Sequence, residues 1–512
     1  MARFARLRLA AACILLPMLA ASIAQAQSAK YDPGADDKTI KIGTTAPLSG
    51  PVSAFAQIAK SAEAYFRKVN DDGGVNGRRI QMIIADDAYS PPKTVEQTRR
   101  LVESEEVLLI FGGVGTPTNS AVHKYLNDRK VPQLFLGSGA AKWDDPKNFP
   151  WTVGWQPTYR DEAIAYAKYI KASHANAKIG VLYQNDDLGK DYLKALEEGL
   201  GGGEAIVARA AYETTAPTVD TQILQLKTAG ADVVLVAATP KFAAQAIRKI
   251  GEIGWKPVTI ISNVSASISG VLEPAGRDNS TGIISSQYLK DATDPALKDD
   301  AGYKEWLAFM DKYLPEANKS DWLNVYGYTI AQTLVTVLKA SGNDLTRANV
   351  MKQATTLKDV KLPMLINGTT VNNSPERYTP MTSLQLIRFD GTRWGAVRRT
   401  PEELSDAAGH GRRHAGRSRQ RDRFACLRQE LAVRQRHRRR HRGEPELARS
   451  PLYRAGDRPF HPQPSLLSRA RAALDRHRRY LLRQSQETAA GPGLERPQPA
   501  LSRKHAGAWR CA

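Results

Sequence analysis

Short apolar segments alternate with longer amphipathic segments over residues 40–262 of the chain. The apolar segments carry few charged side chains, which is typical of parallel strands covered on both faces. The first amphipathic segment places five apolar residues on one helical face between Ile58 and Val69 and ends at Gly73-Gly74. This alternation predicts an α/β protein with parallel sheets flanked by helices. The predicted strands are residues 40–44, 80–85, 108–112, 132–137, 178–183, 232–238 and 258–262.

The body of the chain is long enough for two domains. Residues 27–397 number about 370, which exceeds the size at which one hydrophobic core keeps growing. Near the end of this body, the segment Leu384–Trp394 has Asp390-Gly391 at its centre, a pattern that predicts a β-hairpin. We therefore expect two α/β domains and a hairpin close to residue 390.

The first residues have the features of a secretory signal. Three arginines precede an apolar run from Leu9 to Leu19, which is too short to span a bilayer, and Ala24-Gln25-Ala26 has the small-x-small pattern of a cleavage site. We expect residues 1–26 to be a signal peptide that is cleaved near Ala26. The mature protein would then be periplasmic.

A polar loop at residues 45–55 follows the first predicted strand. Open α/β sheets bind their ligands in loops beyond the carboxyl ends of their strands. Together with the export signal, this loop predicts a ligand-binding protein outside the cytoplasm.

The body offers little for catalysis. It contains no cysteine and two histidines, His123 and His174, which we interpret as solvated helix residues. The pairs Asp86-Asp87 and Asp186-Asp187 resemble acid/base dyads, but adjacent side chains point apart and both pairs follow predicted strands. No nucleophile elbow or phosphate-binding loop is present in the sequence. We predict no enzyme activity, no catalytic residue, no metal site and no cofactor, with an enzyme on this scaffold as the alternative.

The composition changes near residue 398. Residues 401–512 carry 25 arginines and a net charge of +15, out of +21 for the whole chain, and they contain no Ile, Asn or Met. Such a segment cannot offset its ordering entropy by burial. We interpret residues 398–512 as a disordered tail translated in a shifted reading frame, with a genuine disordered extension as the alternative. An exported protein seldom meets nucleic acid, so we predict no nucleic-acid binding despite the arginines.

Several motifs of the body, taken together, resemble one family. They resemble the periplasmic solute-binding proteins of ABC importers in the branched-chain amino acid family, of the two-lobed type I, over about residues 38–397. The similarity is strongest to the branch that binds aromatic and related organic acids. The motifs are APLSG at 46–50, NDDGGVNG at 70–77, Asp86-Asp87, Gly112 to Thr116, VPQLFLGSG at 131–139, PWTVGWQPTY at 150–159, AKIGVLYQNDDLGKDYL at 177–193 and the hairpin near residue 390.

The resemblance implies two α/β lobes that close on a ligand, with three chain crossings between them. The crossings would fall near residues 156–158, 284–286 and 362–366. The implied lobes are residues 27–157 plus 286–363 for lobe 1 and residues 158–285 plus 364–397 for lobe 2.

Two hydroxyl residues in the first lobe are candidates for binding a carboxylate. Thr116 follows strand 108–112 and precedes Pro117, which predicts a helix start whose free N–H groups and hydroxyl suit an anion. A plain helix cap is the alternative, but the resemblance implies a carboxylate-binding hydroxyl at this position. Ser138 has the same position after the next strand. Gly139 and, in the second lobe, Thr239 complete the polar candidates.

Three further candidates bear on the nature of the ligand. The family packs an aromatic residue against its ligand at Phe55, although an isolated Phe is more often part of a core. Amino acid binders hold the ligand ammonium with carboxylates at the positions of Tyr159 and Asn263. Neither residue can supply the charge that an enclosed ammonium requires, whereas both suit a neutral polar group, a phenol or a carboxylate. If the alignment slips, Asp161 or Glu162 can take that role.

We therefore predict the periplasmic solute-binding component of an ABC importer, with a small organic acid, either an aromatic or an aliphatic carboxylate, as its ligand. Its partners would be this small-molecule solute and, transiently, the cognate inner-membrane ABC permease, and the protein would be a monomer. The alternatives are binding of a branched-chain amino acid or amide, or an exported sensor that does not serve a transporter.

Overall fold

Two large sheets organise residues 29–397, which are the residues that the computed structural model describes. The predicted signal peptide 1–26 and the predicted tail 398–512 lie outside the described residues. The strands are β1 (Lys30–Tyr31), β2 (Thr39–Ala46), β3 (Arg79–Asp86), β4 (Leu109–Phe111), β5 (Gln133–Leu136), β6 (Thr152–Gly154), β7 (Ile179–Gln184), β8 (Ile206–Tyr212), β9 (Val233–Ala237), β10 (Val258–Ile261), β11 (Ile284–Gln287), β12 (Asp344–Leu345), β13 (Gln385–Phe389) and β14 (Trp394–Ala396).

Helices connect most of the parallel strands, and ten of those among the described residues have two turns or more. Their sequences carry apolar residues at helical spacing, so that each buries one face against a sheet or another helix. They are α1 (Ala56–Asp71), α2 (Pro91–Arg99), α3 (Thr116–Asp128), α4 (Tyr159–Ser173), α5 (Asp187–Leu200), α6 (Asp220–Thr228), α7 (Pro240–Glu252), α8 (Ala301–Tyr313), α9 (Trp322–Ser341) and α10 (Arg347–Ala354).

The first lobe is built on a parallel sheet of five strands in the order β3-β2-β4-β5-β6. Strand β2 pairs with β3 in continuous register from Thr39 opposite Arg79 to Ala46 opposite Asp86. Helix α9 packs on α1, and sixteen of its twenty residues are buried. Burial of a large apolar side chain contributes about 1.5–3 kcal/mol. A helix from late in the sequence is therefore an integral part of the first lobe.

The second lobe is built on a sheet of seven strands in the order β14-β13-β11-β10-β9-β7-β8. Strands β7 to β11 are parallel, while β13 and β14 form the predicted antiparallel hairpin. The backbone N–H of Asp390 donates to the carbonyl of Arg393 across its turn, over 3.1 Å. The indole N–H of Trp394 donates to the carbonyl of Ala266, which fixes the hairpin to the loop after β10. The prediction of the hairpin is confirmed.

The chain passes between the sheets after β6, after β11 and before β13. Residues Ile284–Gln287 belong to the second sheet, so the chain leaves that sheet after Gln287 and not within residues 284–286. Leu289 and Leu365 then form an antiparallel bridge, which places two of the connections side by side. The lobe boundaries proposed above remain a prediction.

Among residues 29–397, the helices are each too short or too polar to cross a membrane.

Candidate functional site

A narrow cavity lies between the two lobes, where strands of both sheets have their carboxyl ends. Its volume is only about 20 Å³ in this structure, so the lobes are nearly closed on it. Trp322 and Tyr326 of α9 form one side, and Ile58, Val114 and Tyr159 also contribute to the wall. The other lining residues follow strand ends, the position at which α/β sheets bind ligands. These residues are Phe55 after β2, Tyr89 after β3, Gly115 after β4, Gly137 after β5, Gln156 after β6, Leu188 after β7, Thr239 after β9 and Val264 after β10.

Phe55 and Tyr89 provide an aromatic wall on the first lobe. Phe55 ends a short 3₁₀ turn and is buried against the cavity, as its predicted role requires. Asp87 accepts hydrogen bonds from the Tyr89 N–H and the Thr94 hydroxyl, both at 2.9 Å, and so holds Tyr89 at a left-handed φ of 59°. The Tyr89 ring lies so near Gly115 that a Cβ at Gly115 would come within 2.3 Å of it. Only glycine fits there.

Thr116 and Ser138 are brought together at the ends of neighbouring strands. Thr116 is the first residue of α3, as predicted, and its hydroxyl lies 2.7 Å from that of Ser138. Trp143 donates its indole N–H to the Ser138 hydroxyl oxygen, over 2.9 Å. One hydroxyl hydrogen is used between Thr116 and Ser138, so the other remains to be donated. Both side chains are buried.

Tyr159 contacts this hydroxyl pair from the start of the second lobe. It is the first residue of α4, its backbone N–H donates to the Gly139 carbonyl over 2.7 Å, and its ring stacks on Tyr192. Burial raises the pKa of Tyr159 to about 12, although hydrogen bonds to Gly139 and to the hydroxyls of Thr116 and Ser138 oppose that rise. Tyr159 therefore covers the hydroxyl pair that is predicted to bind a carboxylate.

Gly139 lies in close contact with the segment that begins the second lobe. A Cβ at Gly139 would lie 2.8 Å from the Pro157 carbonyl oxygen and 2.9 Å from the Tyr159 ring. Gly139 thus gives Tyr159 room to pack against the first lobe.

Thr239 faces the cavity from the second lobe, at the start of α7. Its hydroxyl lies 3.3 Å from the Gln184 side-chain oxygen and 3.3 Å from the Tyr212 hydroxyl. Its backbone N–H also donates to Tyr212. Thr239 therefore already belongs to a polar network at the ends of three neighbouring strands.

Asn263, the last predicted site residue, has an unusual environment. It is 5% exposed, yet both polar atoms of its side chain lack a hydrogen-bond partner. Its backbone N–H donates over 2.8 Å to Glu162. Asn263 lines a second cavity, which has a volume of about 50 Å³ and shares Trp322 with the first.

Glu162 is the carboxylate nearest to Asn263 in this network, and it is fully buried. Its oxygens accept from the hydroxyls of Tyr166 and Tyr192, the latter over 2.6 Å, and from the Asn263 N–H. Burial raises the pKa of Glu162 to about 7. Asp161, the other alternative, accepts from the Thr158 hydroxyl at the start of α4. Both carboxylates are thus engaged within the protein.

Several cavity residues were missed from the sequence. Gln156 accepts from the Tyr326 hydroxyl over 3.1 Å, while its side-chain nitrogen has no partner. It lies within the motif PWTVGWQPTY, so that motif was a usable signal. Trp322 and Tyr288, which line the cavities from the start of α9 and from the connection after β11, have no local pattern that marks them.

The interpretation of His123 as solvated is wrong. It is 4% exposed, its ring stacks on Phe149 with centroids 3.8 Å apart, and burial lowers its pKa to about 4. His123 is therefore a neutral core residue. His174 is half-buried beside the Tyr169 hydroxyl. No group of side chains suited to a metal ion occurs within residues 29–397.

Comparison with known proteins identifies the family of this fold. The family described as periplasmic binding protein matches residues 39–392. Leu/Ile/Val-binding protein homolog 7 of Brucella abortus (strain 2308) is 26% identical over 358 residues, 67% of this chain and 86% of that protein.

Two solved structures share the fold. A branched chain amino acid ABC transporter from Thermus thermophilus with bound valine superposes with a TM-score of 0.64 at 16% identity, over 71% of this chain and 97% of that one. A fatty acid ABC transporter substrate-binding protein from Thermomonospora curvata has a TM-score of 0.60 at 22% identity, over 72% of this chain and 94% of that one. The predicted two-lobed type I fold and the family resemblance are confirmed.

Proposed function

The chain belongs to the periplasmic binding protein family, and from that premise we propose that it captures a small organic acid between its lobes for an ABC importer. Members of this family bind small solutes in the periplasm and work with ABC permeases. The ligand, its delivery to the permease and the monomeric state belong to the proposal.

The absence of charge on the cavity wall carries this proposal. The thirteen residues that line the cavity include aromatic, aliphatic, hydroxyl and amide side chains, but no charged one. An α-ammonium enclosed there would lose its hydration without gaining a counter-charge, at a cost of several kcal/mol. A carboxylate, in contrast, is stabilised by hydroxyl donors and by N–H groups at a helix start such as that of Thr116.

Aromatic side chains favour a ligand with a large apolar part. Phe55, Tyr89, Tyr159, Trp322 and Tyr326 all line the cavity. Aromatic rings contribute more to binding than their buried area alone accounts for, because they form offset-stacked or edge-to-face contacts. Aromatic and aliphatic acids match such a wall.

Binding requires the lobes to separate first. The cavity is narrow, and the buried Tyr159 side chain lies beside the hydroxyls of Thr116 and Ser138. In an open form these two hydroxyls become free to donate to the ligand carboxylate, and Tyr159 closes over it from the second lobe. Occupancy then shifts the population toward the closed form.

Binding of a branched-chain amino acid is the second candidate, and Glu162 is the observation that favours it. Its carboxylate lies 2.8 Å from the backbone nitrogen of Asn263, near the place where an ammonium would be held. The names of the Brucella relative and the Thermus structure point to the same class of ligand. Glu162 would have to give up its bonds to Tyr166 and Tyr192 to serve this role.

Calorimetry and thermal shift separate the two candidates. We expect benzoate- or cinnamate-type acids, or medium-chain fatty acids, to raise the melting temperature and to bind, since a ligand that binds only the folded state stabilises it. Leucine, isoleucine and valine should bind weakly or not at all. A micromolar or tighter dissociation constant for leucine, with no response to any acid, contradicts the proposal.

Uptake measurements separate a transporter component from a sensor. Deletion of the gene should abolish uptake of the labelled ligand into cells. Unchanged uptake alongside a lost transcriptional response to the ligand would show a sensor instead.

A further inference from the structure

The second cavity, which we call the annex, is lined from both lobes and from the connection between them. Asn263, Ala266 and Ile268 follow β10, Tyr288 follows β11, Trp322 begins α9, and Trp394 belongs to the hairpin. Trp322 is the wall that the annex shares with the cavity described above. The annex is therefore a neighbouring compartment of the same interlobe cleft.

Polar atoms without partners face the annex. The Tyr288 hydroxyl, the Trp322 indole nitrogen and both polar atoms of the Asn263 side chain have none, although Tyr288 is 2% exposed and Asn263 is 5% exposed. Buried polar groups in native proteins nearly always have a partner, and leaving one without costs about 1–3 kcal/mol. Three such groups around one cavity indicate a ligand group that bonds to them.

The charges around the annex restrict the nature of that group. Lys290 is engaged with Asp300, at 2.8 Å, and with the Pro363 carbonyl. Asp291 accepts from the backbone and hydroxyl of Thr293 through Oδ1, while its Oδ2 has no partner. The groups left without partners are thus the Tyr288 hydroxyl, the Trp322 indole, the Asn263 amide and one oxygen of Asp291, which can accept from a ligand donor. The rest of the wall is largely aliphatic and aromatic.

We propose that the annex binds the far end of an elongated carboxylic acid that ends in a neutral hydrogen-bonding group, such as a hydroxyl or an amide. This inference rests on the proposed function, because the carboxylate of the same molecule is held at Thr116 and Ser138. The apolar middle of the ligand passes Trp322, whose indole lies between the two compartments. A second carboxylate is disfavoured, since the annex offers it no free cation.

Matched ligand pairs test the annex by calorimetry on the mature protein. Hydrocinnamate is compared with its para-hydroxy derivative, and hexanoate with omega-hydroxyhexanoate. In at least one pair the hydroxylated acid should bind at least tenfold more tightly than its parent, because it supplies the missing hydrogen-bond partner.

Two variants act on the annex alone. Tyr288→Phe removes a hydroxyl that has no partner in the protein, so folding should be unaffected, while the advantage of the hydroxylated acid should fall about fivefold or more. Ala266→Phe fills the annex and should weaken the longer acids while sparing short ones such as benzoate. Tyr313→Phe is the matched control, because it removes a hydroxyl that is bonded to Asp71 away from the cleft. It should change neither the advantage of the hydroxylated acid nor the affinity for the longer acids.

The outcomes separate failure of the annex from failure of the proposed function. If acids bind but both pairs show equal affinities, or if Tyr288→Phe and Ala266→Phe leave the preference unchanged, the annex is not a ligand compartment and the acid-binding function stands. If only amino acids bind, the proposed function is wrong and the annex proposal falls with it. If Ala266→Phe fails to fold, the Tyr288→Phe result decides.

Discussion

Two places on the interlobe cleft differ in whether their polar groups have partners: the Thr116–Ser138 hydroxyl pair, which we call the first wall, and the Asn263 side chain, which we call the second wall. On the first lobe, Thr116 and Ser138 bond to each other and Ser138 also accepts from Trp143. On the second lobe, the Asn263 side chain is buried with no partner for either polar atom. The first wall is therefore complete without a ligand, whereas the second carries an energetic cost that a ligand can remove. We infer that the first wall positions the ligand and that the second provides most of the free energy that couples binding to closure.

The largest expected effect comes from placing a charge on the second wall. Asn263→Asp would put a carboxylate beside Glu162 and inside the cleft that encloses the acidic ligand, and like charges in a desolvated site cost several kcal/mol. Affinity for the best acid, measured by calorimetry, should fall by about a hundredfold or more. Asn279→Asp, the same change at an exposed site of the second lobe, should have little effect. If both variants bind the acid as wild type does, Asn263 does not face the ligand.

The pH dependence of stability reports on Glu162, which supports the second wall from behind. In the folded protein the Glu162 carboxyl has a pKa of about 7, whereas in the unfolded chain it releases its proton near pH 4.5. Between these pH values the folded state binds more protons than the unfolded state. The contribution of Glu162 to the free energy of unfolding therefore falls by roughly 3 kcal/mol as pH rises.

Urea unfolding of wild type and Glu162→Gln at pH 4.5, 6 and 8 isolates this contribution, because the other titrating groups are common to both proteins. The free energy of unfolding of Glu162→Gln, relative to that of wild type, should increase as pH rises. A constant difference across this range would mean that Glu162 keeps an ordinary pKa.

On the first wall, Thr116→Ala should remove one charge-assisted hydrogen bond to the carboxylate, worth about 1.5–3 kcal/mol of affinity. Thr116→Ser keeps the hydroxyl and should retain most of the affinity. Ser120→Ala, whose hydroxyl bonds to the Thr116 carbonyl on the same helix, is the control. An unchanged dissociation constant for Thr116→Ala would remove Thr116 from the site and leave the first wall without a role in recognition.

The smallest effect is expected from the tail, which we predict to contribute to neither wall. A stop after Val397 should leave the melting temperature and ligand affinity intact, and should improve solubility by removing a polycation. Resequencing the gene near codon 396 tests the interpretation of a shifted frame. Loss of folding or of binding in the shortened protein would instead show that the tail belongs to the functional protein.

Much of the fold was predictable because it depends on local patterns. The seven predicted strands are present, and helix α1 buries the face that contains Ile58, Phe66 and Val69. Strands β6 and β8 were missed for physical reasons. β6 has three residues, and β8 alternates buried and exposed positions at the edge of its sheet, so neither forms a continuous apolar run.

The sequence by itself determined the α/β class, the position of the ligand cleft beyond strand ends, and the Thr116 helix start, because each depends on residues close together in the chain. Only the tertiary structure decided that Trp322 and Tyr288 line the cleft, that Glu162 is turned toward Tyr166 and Tyr192, and that His123 is buried. These features depend on which distant segments pack together and on which polar groups lose water when they do. A periodic pattern along the chain shows which face of a helix or strand a residue occupies, but not which distant residue it contacts.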